Sequence, residues 1–379
     1  MAKRILLYYP PNKRSVAIET LCKAVKEAGH ELIVLTLTEK DAFHVQMENM
    51  GIPVFTTVMN RKPSWKYFLN QARFLIRFCR RHKIDAVWSH LQEANIIAVL
   101  AQRFMKAKVV AFRHHAESAF YVEYGAHFGM LRNVNESRFD KIINRLAKLI
   151  VVPSSGVWYG MEKYEKCDMR KVKLLPYIYD FSTYQQPDTG KVDALRNEYN
   201  CRLTLIMVSR MVATKQHMPV FRIVKKLVDE GLSIKMIVMD DGPLRPVLEK
   251  YISDNKLEEV ISLVGFRTDF INFMAAADLL IHPSLTEASN NVVKELALME
   301  KGVAVCRDVG DFNDYIRDGG NGFMIDRGNL EASVEQIIRT AYNQPAKLQE
   351  MGRELKKDVL GLFDYTEKNK KRFIDLTAY

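Results

Sequence analysis

Much is missing from this chain of 379 residues, and each absence removes a class of function. No apolar stretch approaches the roughly 20 residues that a membrane-spanning helix needs. The five cysteines, Cys22, Cys79, Cys167, Cys201 and Cys306, are odd in number, scattered and without a Cys-x-x-Cys pair. Such a set reads as buried thiols in a reducing compartment, not as a disulfide frame or a zinc site. With no Asp-x-Asp, no His-x-x-x-His and no cysteine cluster, no metal site is expected. The start, Met1 to Pro10, is too short for a signal peptide and looks like a first strand. A cytosolic enzyme is the expectation. Acidic residues are also missing from one whole segment, Asn49 to Ile84.

What is present is unevenly placed. The net charge is +11, yet residues 1–180 alone carry +13 and the remainder −2, so the two halves are expected to meet different partners. The length exceeds one comfortable core, which predicts two domains. In the first half, short apolar runs (Ile5–Tyr9, Leu32–Leu35, Ala86–Ser89, Val109–Phe112, Leu149–Val152, Val172–Leu175) alternate with amphipathic ones such as Val16–Glu27, closed by Gly29, and Ile96–Phe104. After a polar linker, 184–191, the alternation restarts with Leu203–Ser209, Ile234–Met239, Ile261–Val264, Leu279–Ile281 and Val303–Cys306. Helices follow Lys215, Pro243, Asp269, Asn290 and Asp311. The pattern predicts an α/β protein with two doubly wound, Rossmann-like domains, 1–185 and 192–360, facing a central cleft at the carboxyl ends of their strands. A last helix within 361–379, anchored by Phe373, Ile374 and Leu376, is expected to dock back on the first domain.

The most informative residues are Glu287 and Glu295, eight apart, after the strand Leu279–Ile281. Ser289 or Asn290 is a natural N-cap for the helix that carries Val292, Val293, Leu296 and Ala297. Glu287 then lies in the loop and Glu295 more than a turn into the helix. Free amides from Asn290 through Asn291 to Val292 would face an anion. Acceptor-only carboxylates beside such a helix start suit a ligand that is both sugar and phosphate.

Arg210 and Lys215, just after another strand, could neutralise a diphosphate, although alone they read more simply as solvated charges. Gly242-Pro243 forms a turn into a helix, with Pro243 near the first helical position; the glycine either lets the backbone approach a ligand closely or serves only a tight strand-to-helix turn. Phe266 and Arg267 follow Gly265 in a further strand-end turn. His90 and the pair His114-His115 follow first-half strands, where a histidine exchanges protons with hydroxyls or serves only structure. Within the acid-free segment, Trp65, Phe68, Leu69, Ala72, Leu75, Ile76 and Cys79 form a helical core stripe. Arg61, Lys62, Lys66, Arg73, Arg77, Arg80 and Arg81 supply the basic charge around it. This fits an anionic membrane surface or a helix packed on the sheet, and less well nucleic acid, for which no binding module is present.

Taken in order, these elements resemble the retaining GT-B glycosyltransferases of family 4, also called glycosyl transferases group 1. The resemblance is continuous from about Leu203 to Asp326: the strand with Arg210 and Lys215, Gly242-Pro243-Leu244-Arg245, Val264-Gly265-Phe266, the run from Ala276 to Ser284, the Glu287 to Glu295 element, and Val309-Gly310-Asp311. The resemblance implies that Glu295 accepts hydrogen bonds from the nucleotide ribose and that Glu287 binds donor-sugar hydroxyls. It implies that Arg210 and Lys215 stabilise the leaving diphosphate, and that backbone from Ala288 to Val292 holds sugar and phosphate. His114, or His115, is placed near the reacting sugar, and no metal or other cofactor is needed. Gln216 and Ser209 stand where the family has glycine. Pro10 to Ser15 replaces its Gly-Gly loop, and Glu287-Ala288-Ser289-Asn290 replaces Glu-Gly-Phe-Gly.

The expected activity is transfer of a hexosyl group from a nucleotide sugar, UDP- or GDP-linked, to a lipid-linked or cell-envelope glycan. The basic first domain, with Lys66, Arg73, Arg77, Arg80, Arg81, His90 and His115 on its acceptor side, would then sit peripherally at the inner membrane face. The alternatives are a non-catalytic binding or accessory subunit of an envelope assembly, and an enzyme acting on a small soluble acceptor.

Overall fold

The structure, a computed structural model, describes residues 2–57, 64–116 and 130–379, without the side chains of 130–136. By its contacts the chain divides into two compact units, Met1–Phe181 with Phe363–Tyr379, and Ser182–Leu362.

The first unit is built on a seven-stranded parallel sheet. Its strands are β1 (Arg4–Tyr8), β2 (Glu31–Thr36), β3 (Val54–Thr56), β4 (Ala86–His90), β5 (Lys108–Phe112), β6 (Ile150–Val152) and β7 (Val172–Leu174), in the order β3-β2-β1-β4-β5-β6-β7. Central β1 pairs Leu6 with Ile33 on one side and Val87 on the other. Both faces of the sheet are covered, which is why β1 is a continuous apolar run instead of an alternating one. Leu6 and Tyr8 pack with Leu75 and Ile97, while Ile5 and Leu7 pack with Leu21, Phe373 and Leu376. The C-terminal helix Glu367–Ile374 is thereby part of this unit's core.

Two local readings change. The helix expected over Ile96–Phe104 begins at Leu91, directly after β4, and tightens into a 3₁₀ turn at Gln102–Phe104. Leu91 takes a left-handed φ of 68°, so the chain reverses without the loop that sequence reasoning supposed. In helix Trp65–Arg81 the core face is Tyr67, Phe68, Gln71, Ala72, Leu75, Phe78 and Cys79. Trp65 and Leu69, expected inside, are 53% and 47% exposed. The Tyr67 hydroxyl donates to Glu93 at 2.6 Å and Phe78 joins the core, which turns the helix away from the predicted stripe. Arg61 and Lys62 lie outside the described residues.

The second unit holds a six-stranded parallel sheet, β10-β9-β8-β11-β12-β13. The strands are β8 (Leu203–Val208), β9 (Ile234–Met239), β10 (Ile261–Gly265), β11 (Leu279–His282), β12 (Gly302–Cys306) and a short β13 (Phe323–Ile325) that the sequence reading did not include. The expected linker is shortened by helix Thr189–Tyr199, whose N-cap Asp188 accepts from the Lys191 amide at 3.1 Å. Because all six strands run parallel, every loop that follows one emerges at the same sheet edge. That edge carries the loops with Arg210, Gly242, Phe266, Glu287 and Asp311.

Candidate active site

The loop after β11 is fixed from both directions. Asn290 is the N-cap of helix Asn291–Leu298, its side chain accepting from the Val293 amide at 3.0 Å. Ser289, the other candidate cap, instead donates to Asp311 Oδ2 at 2.6 Å. Lys294, one turn into the helix and wholly buried, reaches back to Ser289 Oγ and the Asn290 carbonyl at 3.0 Å each, and to Asp311 Oδ2 at 2.7 Å. Burial lowers the Lys294 pKa and the Asp311 charge opposes that shift. The Asn291 and Val292 amides, in the first turn, have no intrahelical acceptor. Gly310, at φ 56°, lets the following loop lie against this one: a Cβ there would come within 2.9 Å of Glu287 Cβ.

Glu287 and Lys215 come together. Lys215 Nζ donates to Glu287 Oε1 at 2.5 Å and to Ser284 Oγ at 3.0 Å, and His282 Nε2 lies 2.8 Å from the same Oε1. Burial alone would raise the Glu287 pKa. The His282 hydrogen bond and the Lys215 charge win, and hold the carboxyl well below its usual range. Glu287 is thus an acceptor at any physiological pH, not a proton donor. Glu295 is the opposite case. Half-buried with only Lys294 to offset desolvation, it is pushed up to about 7. Its charge in turn helps raise the pKa of the half-buried Tyr184, after burial itself.

Arg210 stands exposed after β8; its carbonyl accepts from the Val212 amide at 2.8 Å, while its guanidinium has no hydrogen-bond or ion-pair partner among the described residues. Gln216 follows the 3₁₀ turn Ala213–Lys215 with a φ of 56°, the left-handed conformation that explains why glycine suits this position. Gly242 is required by its neighbours: a Cβ would meet the Met211 carbonyl oxygen at 2.6 Å. Pro243 is not at the helix start, because helix Arg245–Asp254 begins two residues later and Pro246 occupies its first turn. Phe266 is 79% exposed, and Arg267 pairs with Asp269 at 2.8 Å.

In the first unit, His114 Nε2 lies 3.1 Å from His90 Nδ1, and its Nδ1 meets the Tyr177 hydroxyl. Burial, then the neighbouring His115, pushes His114 down to about 3, and burial also lowers His90. Both rings are neutral at physiological pH, and both His114 nitrogens are engaged within the unit. His115 is exposed. Arg113, beside them, is locked in the interior by Asp140 at 2.9 Å and Glu165 at 2.5 Å.

Sequence reasoning missed His282 and Lys294 as site-builders. His282 was visible at the end of the β11 run, but its partner lies across a loop. Lys294 resembles a solvated helix lysine until Asp311, 17 residues on, is folded against it.

The carboxyl edge of this parallel α/β sheet gathers two cations, two carboxylates and a helix start, an arrangement suited to an anionic ligand. The chain belongs to the GT-B glycosyltransferases: a Glycosyltransferase Family 4 model matches residues 15–180 and a Glycosyl transferases group 1 model matches residues 202–343. An uncharacterized glycosyltransferase of Methanocaldococcus jannaschii, MJ1059, is 21% identical over 62% of this chain, which spans only 59% of that relative. The alpha-monoglucosyldiacylglycerol synthase of Acholeplasma laidlawii is 22% identical over 86% of this chain and 84% of the relative. Anabaena Alr3699/HepE, solved in complex with UDP, shares the fold with a TM-score of 0.80 over 99% of this chain and all of that one, at 19% identity.

The buried pair gives a direct test. Asp311→Ala leaves the Lys294 charge inside without a counter-ion, and the unfolding free energy should fall by about 3–5 kcal/mol in urea titrations. A loss under about 1 kcal/mol would remove the pair from its role in holding the Glu287 loop.

Proposed function

We propose that the protein is a retaining glycosyltransferase that moves a sugar from a nucleoside diphosphate sugar to a lipid-linked or cell-envelope glycan. The observation that carries this reading is the charge arrangement at one sheet edge: a free Arg210, and a Lys215 held by an ionised Glu287. Arg210 and Lys215 neutralise the diphosphate as the bond from sugar C1 to the phosphate oxygen breaks. The acceptor hydroxyl attacks C1 from the face that the diphosphate is leaving, and its proton passes to the departing phosphate oxygen. Glu287 accepts hydrogen bonds from the sugar hydroxyls, and its negative charge favours the positive charge that grows on the ring. Glu295 accepts from the ribose, with the Asn291 and Val292 amides on the phosphates. Gly242, Pro243, Phe266 and Arg267 border the base, where the exposed Phe266 ring offers a stacking face.

A UDP-linked donor is the first choice, supported by the likeness to a protein solved with UDP. No metal is assigned, since the two cations take the electrostatic task. The test is transfer by the whole chain from a panel of UDP- and GDP-sugars with EDTA present. Arg210→Ala and Glu287→Ala should each lower kcat by about 10²–10³, the range for removing one group that stabilises transition-state charge. Full transfer by the folded Glu287→Ala chain would sink the site assignment.

Glu295 supplies a pH test. Its pKa of about 7 in the empty site means that the carboxylate, the better ribose acceptor, is populated as pH rises through 7. UDP affinity should therefore increase from pH 6 to pH 8 by up to about tenfold, and Glu295→Gln should flatten the curve. The same raised value means that the folded state binds this proton more tightly than the unfolded chain. Its contribution to stability is accordingly lost as pH rises from about 4.5 through about 7.

We further infer peripheral attachment at an anionic membrane. Helix Trp65–Arg81 turns Lys66, Arg73, Arg77, Arg80 and Arg81 to solvent, and Trp65 and Leu69 are exposed with them. Cations flanking an aromatic and an aliphatic tip suit a headgroup layer, and the Acholeplasma relative is by name a glycolipid synthase. Sedimentation with liposomes should show binding to anionic vesicles that falls more than about tenfold in the Arg73→Ala/Arg77→Ala/Arg80→Ala chain, at about 1 kcal/mol per charge. Equal binding to neutral vesicles would overturn the attachment.

A further inference from the structure

At the opposite edge of the second unit's sheet, where β8, β11 and β12 begin, lies an open cavity of about 320 Å³. It is at the small end of volumes that hold metabolites. Four cations line it: Arg196, Arg202, Lys301 and Arg353. None of the four is in an ion pair among the described residues. Arg196 donates to the Ala275 carbonyl at 3.3 Å, and Arg202 to the Tyr342 carbonyl at 3.2 Å while lying over the Tyr342 ring. Lys301 is mostly buried and its amino group has no acceptor; burial, then the Arg196 charge, pushes it down to about 8. Two carboxylates also line the cavity: Asp278, which accepts from the Thr204 amide at 2.8 Å and whose charge opposes the shift of Lys301, and Glu300, which pairs with Lys356 at 2.9 Å.

With four cations against two carboxylates in its lining, the concavity carries an excess of positive charge that an anion would neutralise. Two of these groups, Arg196 and Arg202, are anchored by backbone carbonyls, so less of their side-chain freedom remains to be lost on binding. Arginine forks bind phosphate oxygens in pairs, and a lysine beside them adds a point charge. The floor is also built for space: at Gly302 a Cβ would collide with Leu348, so only glycine lets Leu348 close the apolar side of the cavity.

We propose that this cavity is a second anion site, one that binds inorganic phosphate or the phosphate group of a small phosphorylated metabolite between Arg196, Arg202, Lys301 and Arg353. It lies at the amino edge of the strands, whereas the donor loops lie at the carboxyl edge, so it binds a separate molecule. The site goes beyond the transferase reading and does not rest on it.

The experiment is calorimetric titration of the full chain with inorganic phosphate and, separately, glucose 1-phosphate. Wild type is compared with Lys301→Met, which keeps the stem and removes the charge, with the surface change Arg353→Gln, and with Arg210→Ala as the control for the donor edge. We expect saturable binding that weakens about tenfold in Lys301→Met and severalfold in Arg353→Gln, and is unchanged in Arg210→Ala. Tighter binding of the ester assigns a metabolite; equal binding assigns free phosphate. Absence of saturation by about 10 mM would overturn the proposal. So would binding that Arg210→Ala removes and Lys301→Met leaves intact, because the anion would then sit at the donor edge.

Discussion

The buried ion pair of Lys294 with Asp311 is the constraint on which the site depends. Both side chains are essentially without solvent, so neither charge tolerates loss of the other. That stringency makes the pair a clamp. Through Ser289 Oγ and the Asn290 carbonyl it ties the helix start to the loop after β12, and Gly310 allows that loop to come close. The segment between Pro283 and Asn291, which would otherwise be a mobile strand-end loop, is given one conformation. Glu287 projects from it with its charge already matched to Lys215 and His282.

The same clamp explains why two glutamates eight residues apart behave differently. Glu287 sits among donors and is ionised; Glu295 shares the helix with Lys294, but that lysine is turned toward Asp311, so desolvation dominates. In the proposed reaction this division is useful. The group beside the sugar must carry a negative charge before the bond breaks, since no proton transfer from it is wanted there. The group beside the ribose only needs to be an acceptor once ligand hydroxyls have arrived, and those hydroxyls themselves favour its ionised form. Lys215 is held in reserve by Glu287, while Arg210 is free to meet the diphosphate first.

How much of this was legible follows from the range of the forces. Strands β1, β8, β9, β11 and β12 were readable because both faces of a parallel sheet are covered, so each is a short uninterrupted apolar run. Helix Val16–Glu27 was readable because its apolar spacing and its terminal glycine agree. The face of helix Trp65–Arg81 was not, because aromatic residues occur all round it. Tyr67 turns inward, where its ring joins the core and its hydroxyl donates a hydrogen bond to Glu93 on another helix. Short β13 carries too few residues to stand out. Glu287, Glu295, Arg210 and Lys215 stood out by type and spacing after strands, and of these the structure brings Glu287 and Lys215 into contact. His282 and the Lys294–Asp311 clamp did not stand out, because their meaning lies in contacts made across loops.

The departures from the family pattern sharpen the same point. Gln216 occupies a left-handed position that glycine fills without strain; a non-glycine residue there costs on the order of 1 kcal/mol. The loop accepts that cost because its neighbours are fixed independently, Leu285 donating to the Thr214 carbonyl at 2.9 Å and Lys215 reaching Ser284 and Glu287. Ser289 and Asn290, where the family has apolar and glycine residues, are not idle polar replacements either. One joins the Lys294–Asp311 clamp and the other caps the helix. The chain therefore replaces backbone freedom with side-chain hydrogen bonds at the loop after β11. A loop held in that way adapts less, so in the proposed reaction sugar preference would follow from the polar groups of Ser289 and Asn290 and less from backbone movement.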